Sequence, residues 1–106
     1  MHAAIKVILE ELKQDLKELY GNRLKGVYLY GSYARKGEDK GSDIDIAIVL
    51  EDLGRYTAEI DRTSGIISEL SLKYGVSISR VFVSNQDWTD GETGFLLNVR
   101  REAVPV

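Results

Sequence analysis

The sequence predicts an α+β fold, a small mixed sheet of three to four strands with helices on one face. Three observations predict it. Residues 3–20 and 56–74 repeat apolar side chains at spacings of three and four, short runs rich in β-branched and aromatic residues alternate with them, and glycines stand at the joints.

In chain order, Ile5, Ile8, Leu9, Leu12, Leu16, Leu19 and Tyr20 form the apolar stripe of a first helix, which Gly21 closes. Asn22 and Arg23 lead into a strand in which Val27 and Leu29 face one way and Tyr28 and Tyr30 the other. Gly31 can take a positive φ and lets a ligand approach the main chain, and Ser32 can cap a short helix through Ala34 and Arg35. The segment 36–42 holds two glycines and four charges, so we expect a polar surface loop. IDIAIVL is the second strand. Ile44, Ile46, Ile48 and Leu50 line one of its faces, and Asp43, Asp45, Ala47 and Val49 share the other, so it is buried on both sides except at its acidic start.

After a turn at Glu51, Asp52 and Gly54, residues 56–74 read as a second long helix with Ile60, Ile67, Leu70 and Tyr74 on one stripe. Gly65 weakens it by about 1 kcal/mol relative to Ala, and Gly75 caps it. VSISRVFV is a third strand with Ser77, Ser79, Val81 and Val83 on one face. Beyond it come Trp88, a turn near Asp90 and Gly91, and a short helix from Phe95 to Arg101. With the long helices on one side of the sheet and the acidic strand in its middle, the other face must hold a site.

Composition sets limits on the function. The chain has 106 residues, which predicts a single domain over residues 1–106, large enough for one core but too small for a second, acceptor-binding unit. Net charge is -3, from 14 basic and 17 acidic residues, which gives no long-range attraction to nucleic acid. Cysteine is absent, so no disulfide framework or thiolate metal site exists, and we expect a reducing cytoplasm. The longest apolar run, Ile46 to Leu50, is too short to cross a membrane, and MHAAIK lacks the apolar region of a secretory signal.

The chemistry concentrates where Gly31 and Ser32 are followed by ten residues and then Asp43 and Asp45. Residues i and i+2 of a strand share a face, so the two carboxylates project together with Cα atoms roughly 6.6 Å apart. Side by side they repel unless a cation joins them. Mg²⁺ suits such a place, since it takes oxygen ligands and is usually held by one or two carboxylates together with substrate phosphates. Neither a P-loop nor an EF-hand fits: GSYARKG lacks the required glycine and lysine spacing, and the acidic rhythm after Asp45 meets Ala47.

These residues resemble the minimal nucleotidyltransferases of the DNA polymerase beta-like superfamily, the antitoxin-type partners of HEPN toxins. Their signature is Gly-Ser, ten residues, Asp-x-Asp, and YGSYAR, SDIDIAIVL and FLLNVRREAV extend the likeness over nearly the whole chain. The resemblance implies a two-layer nucleotidyltransferase fold of the polymerase beta palm type. It also implies nucleotide binding through Gly31 and Ser32, with Mg²⁺, two ions in the fullest case, on Asp43 and Asp45, the catalytic pair. Arg35, which the short helix would hold near the same pocket, and Ser42 complete the expected nucleotide set.

By the same resemblance, the expected reaction moves a nucleoside monophosphate from ATP to an acceptor hydroxyl, a tyrosine on a HEPN-type toxin. Many members of the superfamily carry a third carboxylate on the strand corresponding to VSISRVFV, where this chain has Ser77 and Ser79. That departure supports an alternative, an antitoxin of weak or no activity that neutralises its partner by contact. Asp61 and Glu69 are expected to face solvent. Trp88, Phe95, Leu96 and Leu97 read either as a C-terminal flap packed on the sheet or as a partner surface.

Overall fold

The computed structural model describes the backbone of residues 3–36 and 43–106, with side chains for residues 4–34 and 43–106. The expected polar loop therefore falls outside the described residues from 37 to 42. In order, the elements are α1 (Ala3–Tyr20), a 3-10 turn (Gly21–Arg23), β1 (Leu24–Tyr30), α2 (Ser32–Lys36), β2 (Ile44–Leu50), α3 (Tyr56–Tyr74), β3 (Ile78–Ser84), α4 (Asn85–Asp90), α5 (Gly94–Glu102) and β4 (Val104–Pro105). Gly21 and Gly75, which close the long helices, both have left-handed φ, +55° and +64°.

The sheet order is β3-β2-β1-β4, so the acidic strand is internal, as expected. β2 runs antiparallel to β1 and parallel to β3, which makes the sheet mixed. Register puts Leu29 opposite Ile46, Val27 opposite Ile48, and Phe82 beside Ile48. These side chains join Ile5, Leu9, Leu12 and Leu16 of α1 and Ile67 and Leu70 of α3 in one buried core. The strand alternation thus decides the layer structure, because every isoleucine of β2 faces the long helices.

Three details differ from the sequence expectation. Leu19 is 41% exposed, because Tyr20, a full turn beyond Leu16, takes the buried place on the stripe. α4 and β4 were not anticipated. α4 begins at Ser84, whose hydroxyl accepts from the Asp87 N–H at 3.1 Å, a capped start that the Ser-x-x-Asp spacing of residues 84–87 spells out. The two long helices occupy one face, but the short ones reach the other: Trp88 stacks on Tyr28 with ring centroids 4.5 Å apart, and Phe95 meets Tyr30 edge-on at 6.0 Å. Arg100 ties them together by donating to the Trp88 carbonyl at 2.7 Å. Of the residues read as flap or partner surface, Leu96 is buried, while Phe95 and Leu97 stay about half exposed.

Glu59 fixes α3 over the end of α1. It is 3% exposed, and its carboxylate accepts from the Tyr20 hydroxyl and from Arg23, each at 2.9 Å, and from Arg62 at 3.3 Å. Burial works to raise its pKa, but the bonds from Arg23 and Tyr20 and the charges of Arg23 and Arg62 outweigh it, holding the carboxyl below its ordinary 4.5. The Tyr20 hydroxyl is pushed up, first by burial and then by that bond. Ionised Glu59 therefore stabilises the fold above pH 4.5, and its contribution fades as pH falls through the lower folded-state value.

Glu59→Ala strands the Tyr20 hydroxyl and half-exposed Arg23, and should cost about 3 kcal/mol in urea denaturation at neutral pH. The variant should also lose less further stability than the parent as pH drops below 4.5. Identical acid sensitivity in the two chains would place the acid-labile interaction elsewhere.

Candidate active site

β1 ends at Tyr30, and antiparallel register sets Tyr30 opposite Asp45. The next residue, Gly31, turns the chain into α2 with φ +75°. A Cβ at Gly31 would collide with the Asp45 carboxylate, so the acid lies directly against the glycine α-carbon. Glycine is required here twice over: no L side chain adopts this φ without strain, and none would leave room for Asp45.

On the other flank, parallel register places Ser79 of β3 beside Asp45. Asp43 stands one residue before β2, exposed, and accepts from the Ser79 hydroxyl at 3.2 Å. The Ile44 N–H donates to the Ser77 carbonyl at 2.9 Å, which locks the acidic start of β2 to β3. The structure thus brings Gly31, Ser32, Asp43 and Asp45 to one end of β1 and β2. The side chain of Arg35 and the whole of Ser42 lie outside the described residues.

A cavity of about 490 Å³ opens beside this turn. Tyr30, Gly31, Ser32 and Asp45 form one wall, and α5 forms the other with Phe95, Asn98, Arg101 and Glu102. The Gly31 N–H donates to Glu102 Oε1 at 3.0 Å, which fastens α5 to the Gly-Ser turn. Burial, then the Asp45 charge, pushes the Tyr30 hydroxyl pKa up, with smaller contributions from Tyr56 and Glu102. The α5 wall was missed in the sequence. Its signal is faint: Phe95, Asn98 and Glu102 recur at three and four residues, one side of a helix whose Leu96 and Val99 are buried.

Oxygen donors make up the acidic end, which suits a hard divalent cation. Among the described residues no group of three or more acids, histidines or cysteines is placed to hold a metal. Mg²⁺ at Asp43 and Asp45 would therefore complete its shell with phosphate and water oxygens, the usual habit of that ion.

A strand, a Gly-Ser turn and an Asp-x-Asp pair at the start of the neighbouring strand are the arrangement the sequence resemblance was drawn on. The chain belongs to the nucleotidyltransferase domain family, whose family model matches residues 9–91. A protein of Methanocaldococcus jannaschii, provisionally named a protein adenylyltransferase, is 35% identical over 74 residues, spanning 70% of this chain and 74% of that relative. Among solved structures, a toxin-antitoxin complex with AMP-PNP superposes with a TM-score of 0.63 at 20% identity, covering 94% of this chain and 70% of that one. The complex of a tri-AMPylated HEPN toxin of Shewanella oneidensis with its MNT antitoxin gives a TM-score of 0.54 at 20% identity, over 92% and 70%. The family resemblance first drawn on Gly31, Ser32, Asp43 and Asp45 holds, and these structures share the fold.

The contact between Gly31 and Asp45 can be tested without any ligand. Gly31→Ala should lose at least about 2 kcal/mol, from the left-handed φ and the clash together. Asp45→Ala in the same chain should relieve only the clash, so a double-mutant cycle in urea should show coupling of about 1 kcal/mol. Strict additivity would mean that the carboxylate does not rest on the glycine.

Proposed function

We propose that this chain binds Mg-ATP at Gly31, Ser32, Asp43 and Asp45 and transfers AMP to a hydroxyl of a partner protein, a tyrosine of a HEPN-type toxin. The observation that carries the reading is the Asp45 carboxylate resting on the Gly31 turn with Asp43 one strand alternation away. Relatives named as protein adenylyltransferases support the reaction class. The complexes with AMP-PNP and with an AMPylated HEPN toxin support the donor and the partner. No described helix is long and apolar enough to cross a membrane. The cytoplasm, where ATP and such a partner meet, is the proposed location.

In this reading Asp43 and Asp45 would hold Mg²⁺, which would supply charge to polarise the α-phosphate and offset the leaving pyrophosphate. The Gly31 turn and the Ser32 hydroxyl orient the phosphates by donating hydrogen bonds, and Arg35 and Ser42 join the proposed set from sequence alone. The acceptor oxygen attacks the α-phosphorus, the bond to pyrophosphate breaks, and a carboxylate oxygen of Asp43 or Asp45 takes the acceptor proton.

A second reading, neutralisation by contact alone, is favoured by one observation. Where the family resemblance would put a third carboxylate the chain has Ser77 and Ser79, and Ser79 neighbours Asp45 and donates to Asp43. Ser79→Asp should then tighten metal binding or raise the transfer rate, read by calorimetry and by label incorporation.

The deciding experiment mixes the chain with the product of its neighbouring gene and labelled ATP. Label should appear on the partner only with Mg²⁺, and Asp43→Ala should abolish it. Calorimetry should show ATP affinity that needs Mg²⁺ and is lost when Asp43→Asn and Asp45→Asn are combined. A partner neutralised equally well by Asp43→Ala, with no label, would establish the contact reading instead.

A further inference from the structure

Gly31 is buried, and its N–H is taken by a residue 71 positions away. Glu102, the last residue of α5, puts Oε1 3.0 Å from that nitrogen. The placement is anchored on both sides. The Ala103 N–H bonds back to the Val99 carbonyl at 2.8 Å, and Val104 and Pro105 pair with Leu29 and Tyr28 of β1, so the sheet itself holds Glu102 over the end of β1.

A carboxylate oxygen on a backbone N–H in a glycine turn is the same contact a phosphate oxygen makes: an anionic oxygen accepting from the main chain. Asp45 already lies against this glycine. A triphosphate brought to the turn meets two carboxylates, and an N–H makes only one strong bond at a time. We propose that Glu102 is a self-occluding anion, which holds the Gly31 N–H in place of a phosphate oxygen until nucleotide displaces it. The inference rests on the nucleotide reading of the same turn. Glu102 is only half-buried and sits at a helix end, so rotating its side chain frees the N–H without unwinding α5. Arg101, beside it on the same cavity, remains as a cation for the incoming phosphates.

The test compares the parent chain, Glu102→Ala and Glu102→Gln by calorimetric titration with Mg-ATP and with Mg-tripolyphosphate, a probe that has no base. Removing a charged hydrogen-bonded competitor should tighten both ligands by about tenfold in Glu102→Ala. Glu102→Gln keeps an oxygen acceptor without the charge and should fall between. In the nucleotide-free chain, Gly31 amide exchange should speed up in Glu102→Ala, and melting curves check that each variant is folded. If Glu102→Ala does not fold, Glu102→Gln decides alone. A parent that binds, with equal or weaker binding in the variants, overturns the occlusion and leaves the nucleotide site standing. No binding by any of the three chains overturns both.

Discussion

The absence of a side chain at position 31 governs the candidate site. β1 and β2 run antiparallel with Tyr30 opposite Asp45, so the chain leaving β1 must turn away immediately in front of an acid. It does so at φ +75°, with the Asp45 carboxylate in the space a Cβ would fill. The turn then delivers Ser32 at the start of α2 and presents the Gly31 N–H to the cavity side, where Glu102 accepts it. A larger residue would push β1 from β2 or drive the carboxylate out, and either movement dismantles the site.

The core sets the register that makes this approach possible. Ile44, Ile46, Ile48 and Leu50 are fully buried against α1 and α3, and the side-chain period of a strand is two. Slipping β2 by one residue would take the isoleucines off the face packed on α1 and α3 and turn Asp45 toward the leucines of α1. Burying one side chain of that size contributes roughly 1.5–3 kcal/mol, so four of them pin the register far more firmly than any contact among the acids. Hydrophobic packing on one face thus positions the polar groups on the other.

That coupling explains how much was legible beforehand. Both long helices, the three main strands and the shared face of Asp43, Asp45, Ser77 and Ser79 followed from periodicity, because packing enforces periods of 3.6 and 2 along the chain. What escaped depends on contacts remote in sequence. Glu59 reads as a surface helix residue until Tyr20 and Arg23 are folded onto it. Glu102 reads as a helix-terminal charge until α5 swings back over β1. β4 is two residues long and contains Pro105, too short for any alternation to show. α4 was written in its Ser84 cap and went unread.

The two kinds of acid in this chain show how surroundings divide structural from chemical work. Glu59, in the core, has a phenol and two guanidinium groups around its carboxylate, and burial leaves it no opening to a ligand. Asp43 is exposed, and the contact described for it is a neutral hydroxyl at 3.2 Å. An ionised carboxylate offers about four lone-pair positions, so a single weak donor leaves it able to accept more. The helix-covered face therefore uses Glu59 for stability, while on the open face Asp43 keeps room to accept. Substitutions at exposed Asp43 accordingly leave the core untouched, whereas substitutions at buried Glu59 act on the fold.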